Sequence, residues 1–353
     1  MTDPLSPGEF QAAVRAAGSI GLLALAVGGF TLLRAGLTDR KRHGADEGLV
    51  TGTAIIASVF GALFAGGYFF GGRQLWSEPL NLEDVLTNGN LALAAILFVL
   101  IPLGSVAGRI SWGGYAIFAL ISGAVTIPIL FRVEHAGISH IFGVGAGATA
   151  LGLSVAIGPR KNRFTDGGAP LFLPPRNLGL ACAGTALIFA GWFGISGTAV
   201  SGFVNLLGGI SGGLAALLTY RICFGAAHPA VFCQGIIGGL VATLAGAESF
   251  SSLDALIVGA VAGLLVVFFG NAVEKCRIDD VSGVVPAHLI AGIWGAISTG
   301  LFAGADWKEL LLPVAIVILV AGGGAFFLGM FLKRVAGLRT PDPDLSDPTG
   351  MVQ

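Results

Sequence analysis

Charge is scarce in this sequence: lysine, arginine, aspartate and glutamate make up only 11% of 353 residues, where soluble domains carry about 25%. A chain so poor in charge cannot clothe a water-facing surface of this size, which excludes one or two ordinary soluble domains. Neither sign is in excess, with 19 basic against 20 acidic residues, so a polyanionic partner is not indicated. No basic stretch interleaved with aromatics is present, which sets nucleic acid aside. The four cysteines, Cys182, Cys223, Cys233 and Cys276, lack metal-ligand spacing and read as small buried side chains. No nucleophile, metal cluster or phosphate loop stands out, so neither an enzyme activity nor a cofactor is expected. Asp3 and Glu9 occupy the place of a basic leader, and no cleavable signal peptide is expected.

What the chain has instead is apolar residues, 54%, and glycine, 57 residues. Glycines recur inside apolar runs, as in Gly208-Gly209-Ile210-Ser211-Gly212-Gly213 and Gly322-Gly323-Gly324. In water they would break helices; in lipid they let helix backbones approach closely. About 20 apolar residues cross a bilayer, and eleven such stretches can be read, at 14–36, 48–72, 90–108, 113–131, 136–158, 177–196, 202–222, 230–246, 253–273, 283–303 and 311–332. The expected fold is an all-α polytopic membrane protein. Fifteen lysines and arginines fall on one side of these spans and four, Arg15, Arg73, Arg132 and Lys308, on the other. That bias places the N-terminus outside and the C-terminus in the cytoplasm, with the cell (inner) membrane as the expected location. Residues 1–340 read as one membrane domain, and 341–353, proline-rich and acidic, as a short cytoplasmic tail.

Two histidines stand inside apolar spans, His140 in the fifth and His288 in the tenth. An ionisable group within a membrane is costly and by default functional, facing a cavity or a partner. The comparable placement of the two suggests a 5+5 inverted repeat with the eleventh span outside it, a plan in which substrate paths run near the midplane along the repeat interface. Asp279 and Asp280 precede the tenth span and are expected to cap it, while His228 is expected in solvent.

Several stretches, in order, resemble the ammonium transporter and Rh superfamily. Asp279-Asp280 followed by His288, Gly292 and Gly295 is similar to the family's tenth-span motif. Pro175-Arg176-Asn177-Leu178 leading to Gly191-Trp192-Phe193-Gly194 resembles the entry to the sixth span, and Phe203-Val204-Asn205 the seventh. Pro229 with Gly235 and Gly239-Leu240-Val241 resembles the eighth, residues 256–264 the ninth, and Gly337-Leu338-Arg339-Thr340-Pro341 the start of the tail. The resemblance implies a homotrimer in which each protomer conducts ammonium or ammonia through an apolar pore with a central histidine pair, His140 and His288. A second register places Phe142 at the first histidine position.

The same resemblance assigns other positions and shows departures. Glu134 stands six residues before His140, where the family has an aspartate eight residues before its histidine; a helix-terminal role for Glu134 is equally compatible with its place. Trp192 lines the pore or packs between helices. Ile195 replaces a gating phenylalanine, Ala199 stands where a recruitment serine is expected, and the first gating phenylalanine falls near Ala94 and Ala95. The loop from Leu130 to His135 lacks the family's outer tryptophan. The tail lacks the family's fuller end, so regulation by a PII-type nitrogen-signalling protein is not expected. Ammonium, unlike potassium, can shed a proton, and the neutral ammonia escapes the cost of carrying charge through hydrocarbon. Two readings stand beside transport: an ammonium-sensing membrane domain with little flux, and an Rh-like channel for a neutral gas such as carbon dioxide.

Overall fold

With no water in a bilayer core, backbone N–H and C=O groups must be satisfied within each span, and this apolar chain answers by forming helices. The computed structural model describes residues 7–39, 46–63, 82–133, 139–196 and 198–341. In chain order the helices are α1 (Pro7–Leu37), α2 (Asp46–Gly61), α3 (Leu82–Ser105), α4 (Trp112–Leu130), α5 (His140–Ile157), α6 (Leu178–Ser196), α7 (Ala199–Phe224), α8 (Pro229–Leu244), α9 (Ser252–Lys275), α10 (Val285–Ala303) and α11 (Trp307–Val335). Eight are long and apolar enough to span a membrane; α2, α3 and α8 supply three shorter apolar stretches, which makes eleven among the described residues. Each expected span coincides with one of them, α1 and α3 starting seven and eight residues earlier than read, and residues 64–72 of the second and 136–138 of the fifth lie outside the described part.

The helix ends follow their local chemistry. Asn177 accepts from the Leu180 amide at 3.0 Å at the start of α6, Ser251 and Asp254 form a reciprocal capping box on α9, and Asp306 caps α11. These side chains occupy donors that a helix start leaves open. Gly225 ends α7 and Gly304 ends α10 in the left-handed region, at φ 75° and 69°, where a side chain would be strained.

Glycine seams bring the helices together. A Cβ on Gly239 of α8 would meet the Gly208 carbonyl of α7, and one on Gly263 of α9 would meet the Gly212 carbonyl. On the other side α1 and α6 meet through Gly29 and Gly184. Cysteine is not uniformly inside: only Cys233 is buried, while Cys182, Cys223 and Cys276 are exposed. These three lie on outward faces of a bundle whose surroundings are themselves apolar, so burial within the chain is not needed to shield a thiol there.

The two histidine-bearing helices share a backbone feature that also appears at Ser122–Thr126 in α4 and Ile318–Gly323 in α11. Alpha-helical geometry gives way to π-helix at His140–Gly145, opening α5, and at Val285–Ile290, opening α10. Both segments have six residues and start 145 positions apart. The contacts reciprocate at the same offset: a Cβ on Gly147 would collide with Leu289, and one on Gly292 would approach the Val144 amide at 2.9 Å. By this offset the counterpart of His288 is Gly143, and His140 sits about one turn nearer the start of its helix. The histidines therefore do not occupy equivalent points of the two halves, because an offset of 148 is one turn out of step with the packed backbones.

Gly147→Ala should destabilise the protein by about 1–3 kcal/mol, since the new methyl meets Leu289 backbone that cannot rotate away. Gly324→Ala in α11, where the added methyl would have nothing within 4 Å, should leave thermal unfolding in detergent unchanged.

Candidate functional site

The centre of the molecule is built where α10 begins. Asp280 accepts from the amides of Val284 at 3.0 Å and Val285 at 2.7 Å, fixing the entry to the π segment that carries His288. The histidine is 1% exposed, and its Nδ1 lies 3.0 Å from the carbonyl oxygen of Phe142 on α5. A carbonyl only accepts, so Nδ1 carries the proton. In the neutral ring Nε2 is then an acceptor, and it is buried with no hydrogen-bond partner among the described residues. The ring faces Phe30 of α1 at 5.9 Å between centroids. Beside it is a cavity of about 10 Å³ bordered by Phe30, Leu100, Ile101, Ile237 and Ala287, close to the room a single water-sized molecule needs.

His140 is also buried, at 8% exposure. Its Nδ1 is 3.4 Å from its neighbour Ser139 Oγ, its ring lies by the backbone of Leu310 on α11, and its Nε2 has no partner among the described residues. No hydrogen bond joins the two imidazoles among the described residues. Trp192, where α6 breaks between Gly191 and Phe193, is 1% exposed with its indole nitrogen unpartnered. Ile195 is buried at 8%, Ala199 is exposed at the start of α7, and Ala94 and Ala95 are buried in α3. Glu134 and His135 lie outside the described residues.

Other members of the site carry little sequence signal. Phe30 is one apolar residue in an apolar helix. Asn205 of α7 donates to Ser196 Oγ at 2.8 Å while its own carbonyl oxygen is buried and unpartnered. Ser282 Oγ, at the border of the His288 cavity, is likewise without a partner.

A buried ionic network holds the end of the bundle from which α10 starts. Asp279 does not cap the helix as its neighbour does; it pairs with Arg109 at 3.1 Å and with Arg160 at 2.8 Å, and Arg160 reaches on to Asp39 at 3.1 Å. Burial alone would raise the Asp279 carboxyl, but hydrogen bonds from Arg160 and the charge of Arg109 hold it well below the usual range. Burial lowers Arg109 to about 10. For Arg160 burial acts in the same downward sense but is outweighed by Asp279, and the guanidinium is raised. Asp280 goes the other way, pushed by burial from 3.8 up to about 6. His228 is half-buried rather than solvated, and burial lowers it; the cause is its place before α8, under the rings of Phe172 and Tyr220.

A profile of the Ammonium Transporter Family matches residues 22–342. The chain belongs to that family. It is 32% identical over 285 residues to the ammonium transporter Amt2 of Methanocaldococcus jannaschii, a match covering 71% of this chain and 66% of that one. It is 26% identical over 268 residues to the Amt2 transporter of Archaeoglobus fulgidus, covering 66% and 57%. The chain thus spans about two thirds of the length of the first relative and less of the second. Among solved structures, a sensor Amt protein superposes with a TM-score of 0.79 at 20% identity, covering 94% of this chain and 95% of that one. The Rh50 protein of Nitrosomonas europaea gives 0.77 at 17% identity, covering 95% and 90%. These structures share the fold, and the family places this chain among multi-pass membrane proteins.

Asp279→Ala should cost about 3–5 kcal/mol, because it takes the carboxylate from buried Arg109 and leaves Arg160 with Asp39 alone; the loss is read as a lowered unfolding temperature in detergent. For Asp280 the raised value means that the folded state holds a proton which the unfolded state has released between pH 3.8 and about 6. Its contribution to stability therefore falls as pH rises through that window. Asp280→Asn should remove this component, so that the stability difference between variant and wild type changes from pH 4 to pH 6 and is flat above it.

Proposed function

We propose that this protein passes ammonium nitrogen across the cell membrane, with ammonia as the species that crosses the apolar interior. The observation that carries the reading is His288: a buried imidazole whose one proton is committed to a backbone carbonyl, whose other nitrogen has no partner among the described residues, and which borders a space of about 10 Å³. Such an acceptor takes a hydrogen bond from an N–H of ammonia, or the proton of ammonium, and offers nothing to potassium, which has no proton to give. The surrounding Phe30, Leu100, Ile101 and Ile237, with the cationic Arg34 on the same border, make retention of a bare cation costly. Membership of the ammonium transporter family supports the substrate.

In this reading His288 is the central group and His140 a second imidazole on the same path, with Trp192, Ile195 and Ala199 toward the outer end and Glu134 at its mouth. The N-terminus is outside and the C-terminus in the cytoplasm, so the Asp279 network marks the cytoplasmic end. Three copies form a homotrimer, for which the exposed apolar side chains along α7, among them Phe203, Leu214, Leu218 and Ile222, offer a face against lipid or a neighbour. Residues 341–353 form the tail beyond the membrane domain.

Reconstituted in liposomes, the protein should answer ammonium and methylammonium pulses with a change of internal pH and should give none with potassium. His288→Ala should abolish the ammonium response or its selectivity over potassium, and His140→Ala should weaken it less, in keeping with the ring's separation from the His288 hydrogen bond. Equal responses in protein-free liposomes would remove the transport reading.

A further inference from the structure

The cavity beside His288 has a larger neighbour. On the side of the Asp279 network a cleft of about 330 Å³ opens between α8, α9 and the segment before α10, with Asp280, Glu274 and His228 among its polar groups. The two spaces share one wall residue on the chain leading into α10, Gly283. They also share α8: Ile237 borders the inner cavity, and Gln234, one turn earlier on the same helix, borders the cleft. On the cleft side the Gln234 side chain lies on Gly283 so closely that a Cβ there would overlap its amide, with Cγ at 3.0 Å. Gly283 has φ +67°, so both its backbone and the space above it exclude a side chain of its own. Gln234 is half-buried, and among the described residues its amide makes no hydrogen bond. A long side chain held by contact alone changes rotamer readily.

We propose that Gln234, resting on Gly283, is a plug that separates the His288 cavity from the 330 Å³ cleft, and that its swing away from Gly283 opens the path between them. The plug is a statement about access. Its role in releasing ammonia toward acidic groups of the cleft, where a proton can be regained, rests on the transport reading above. Ser282, whose unpartnered Oγ borders the inner cavity, reports that access.

The test uses full-length protein in which Cys182, Cys223, Cys233 and Cys276 are replaced by serine and Ser282→Cys is introduced. The probe is methyl methanethiosulfonate, small and neutral with a neutral methylthio adduct, and intact mass follows its addition. With Gln234 in place labelling should be at least tenfold slower than in Gln234→Ala, while Gln234→Leu, of similar bulk and without the amide, should stay slow. Equal rates with Gln234 and with alanine, or a leucine variant as fast as alanine, would overturn the plug. If the Ser282→Cys protein does not fold, Leu100→Cys on another wall of the cavity takes its place with the same expectations. In liposomes Gln234→Ala should raise the ammonium response at least twofold, and an unchanged response would remove its part in release. A wild type that gives no ammonium response overturns transport alone, since the labelling rates judge the plug without it.

Discussion

Two helices cross so closely that the carbonyl of one reaches the imidazole of the other, and the remainder of the site depends on that approach. Gly147 under Leu289 and Gly292 under the Val144 amide leave no side chain between α5 and α10. The Phe142 carbonyl can therefore accept a hydrogen bond from Nδ1 of His288, which sets the tautomer and leaves Nε2 as a buried acceptor without a partner among the described residues. π-helical turns open both helices at this point. Such turns displace backbone groups from the α-helical ladder and recur at functional sites. A buried imidazole with neither nitrogen satisfied would carry the full desolvation cost of both; here one is met and the other has no partner among the described residues.

The ionic network answers a different need. α10 starts inside the protein, and its first amides are met by Asp280 rather than by water. Asp279, next in the chain, binds arginines that follow α3 and α5. One dipeptide thus positions the helix start and ties it to the ends of two other helices, which keeps His288 at fixed depth. The opposite displacements of the two carboxyls follow from their partners: guanidinium groups bonded to Asp279, whereas Asp280 is buried, is bonded only by backbone amides and has the Asp279 charge beside it.

The eleven helices were legible because a membrane span needs a long apolar run and this chain has little else. The burial of His288 was legible too, from a lone ionisable residue inside an apolar span between Asp279-Asp280 and Gly292. The register between the halves was not. His140 and His288 look equivalent as letters, yet packing matches Gly143 to His288, and a backbone contact between glycines leaves almost no trace in composition. Asp279 read as a cap because caps are local, whereas its partners Arg109 and Arg160 are 170 and 119 positions away. Gln234 gave no signal at all, since one amide in an apolar helix is ordinary until Gly283 is found beneath it.

On the transport reading proposed above, the small residues assigned to the path bear on where discrimination can occur. Ala94 and Ala95, near the place of the first gating phenylalanine, and Ile195, at the other, offer no aromatic face to a cation, so cation–π attraction cannot concentrate ammonium there as it could on phenylalanine. Selection must then fall on a later step. The unpartnered Nε2 of His288 meets that demand because it distinguishes solutes by whether they carry a proton to share, a property that neither radius nor charge supplies. A pore of this kind gives up capture at low concentration and keeps chemical selectivity at its centre. Potassium should be rejected as firmly as in a pore with aromatic gates, whereas half-saturation by ammonium should need a higher concentration.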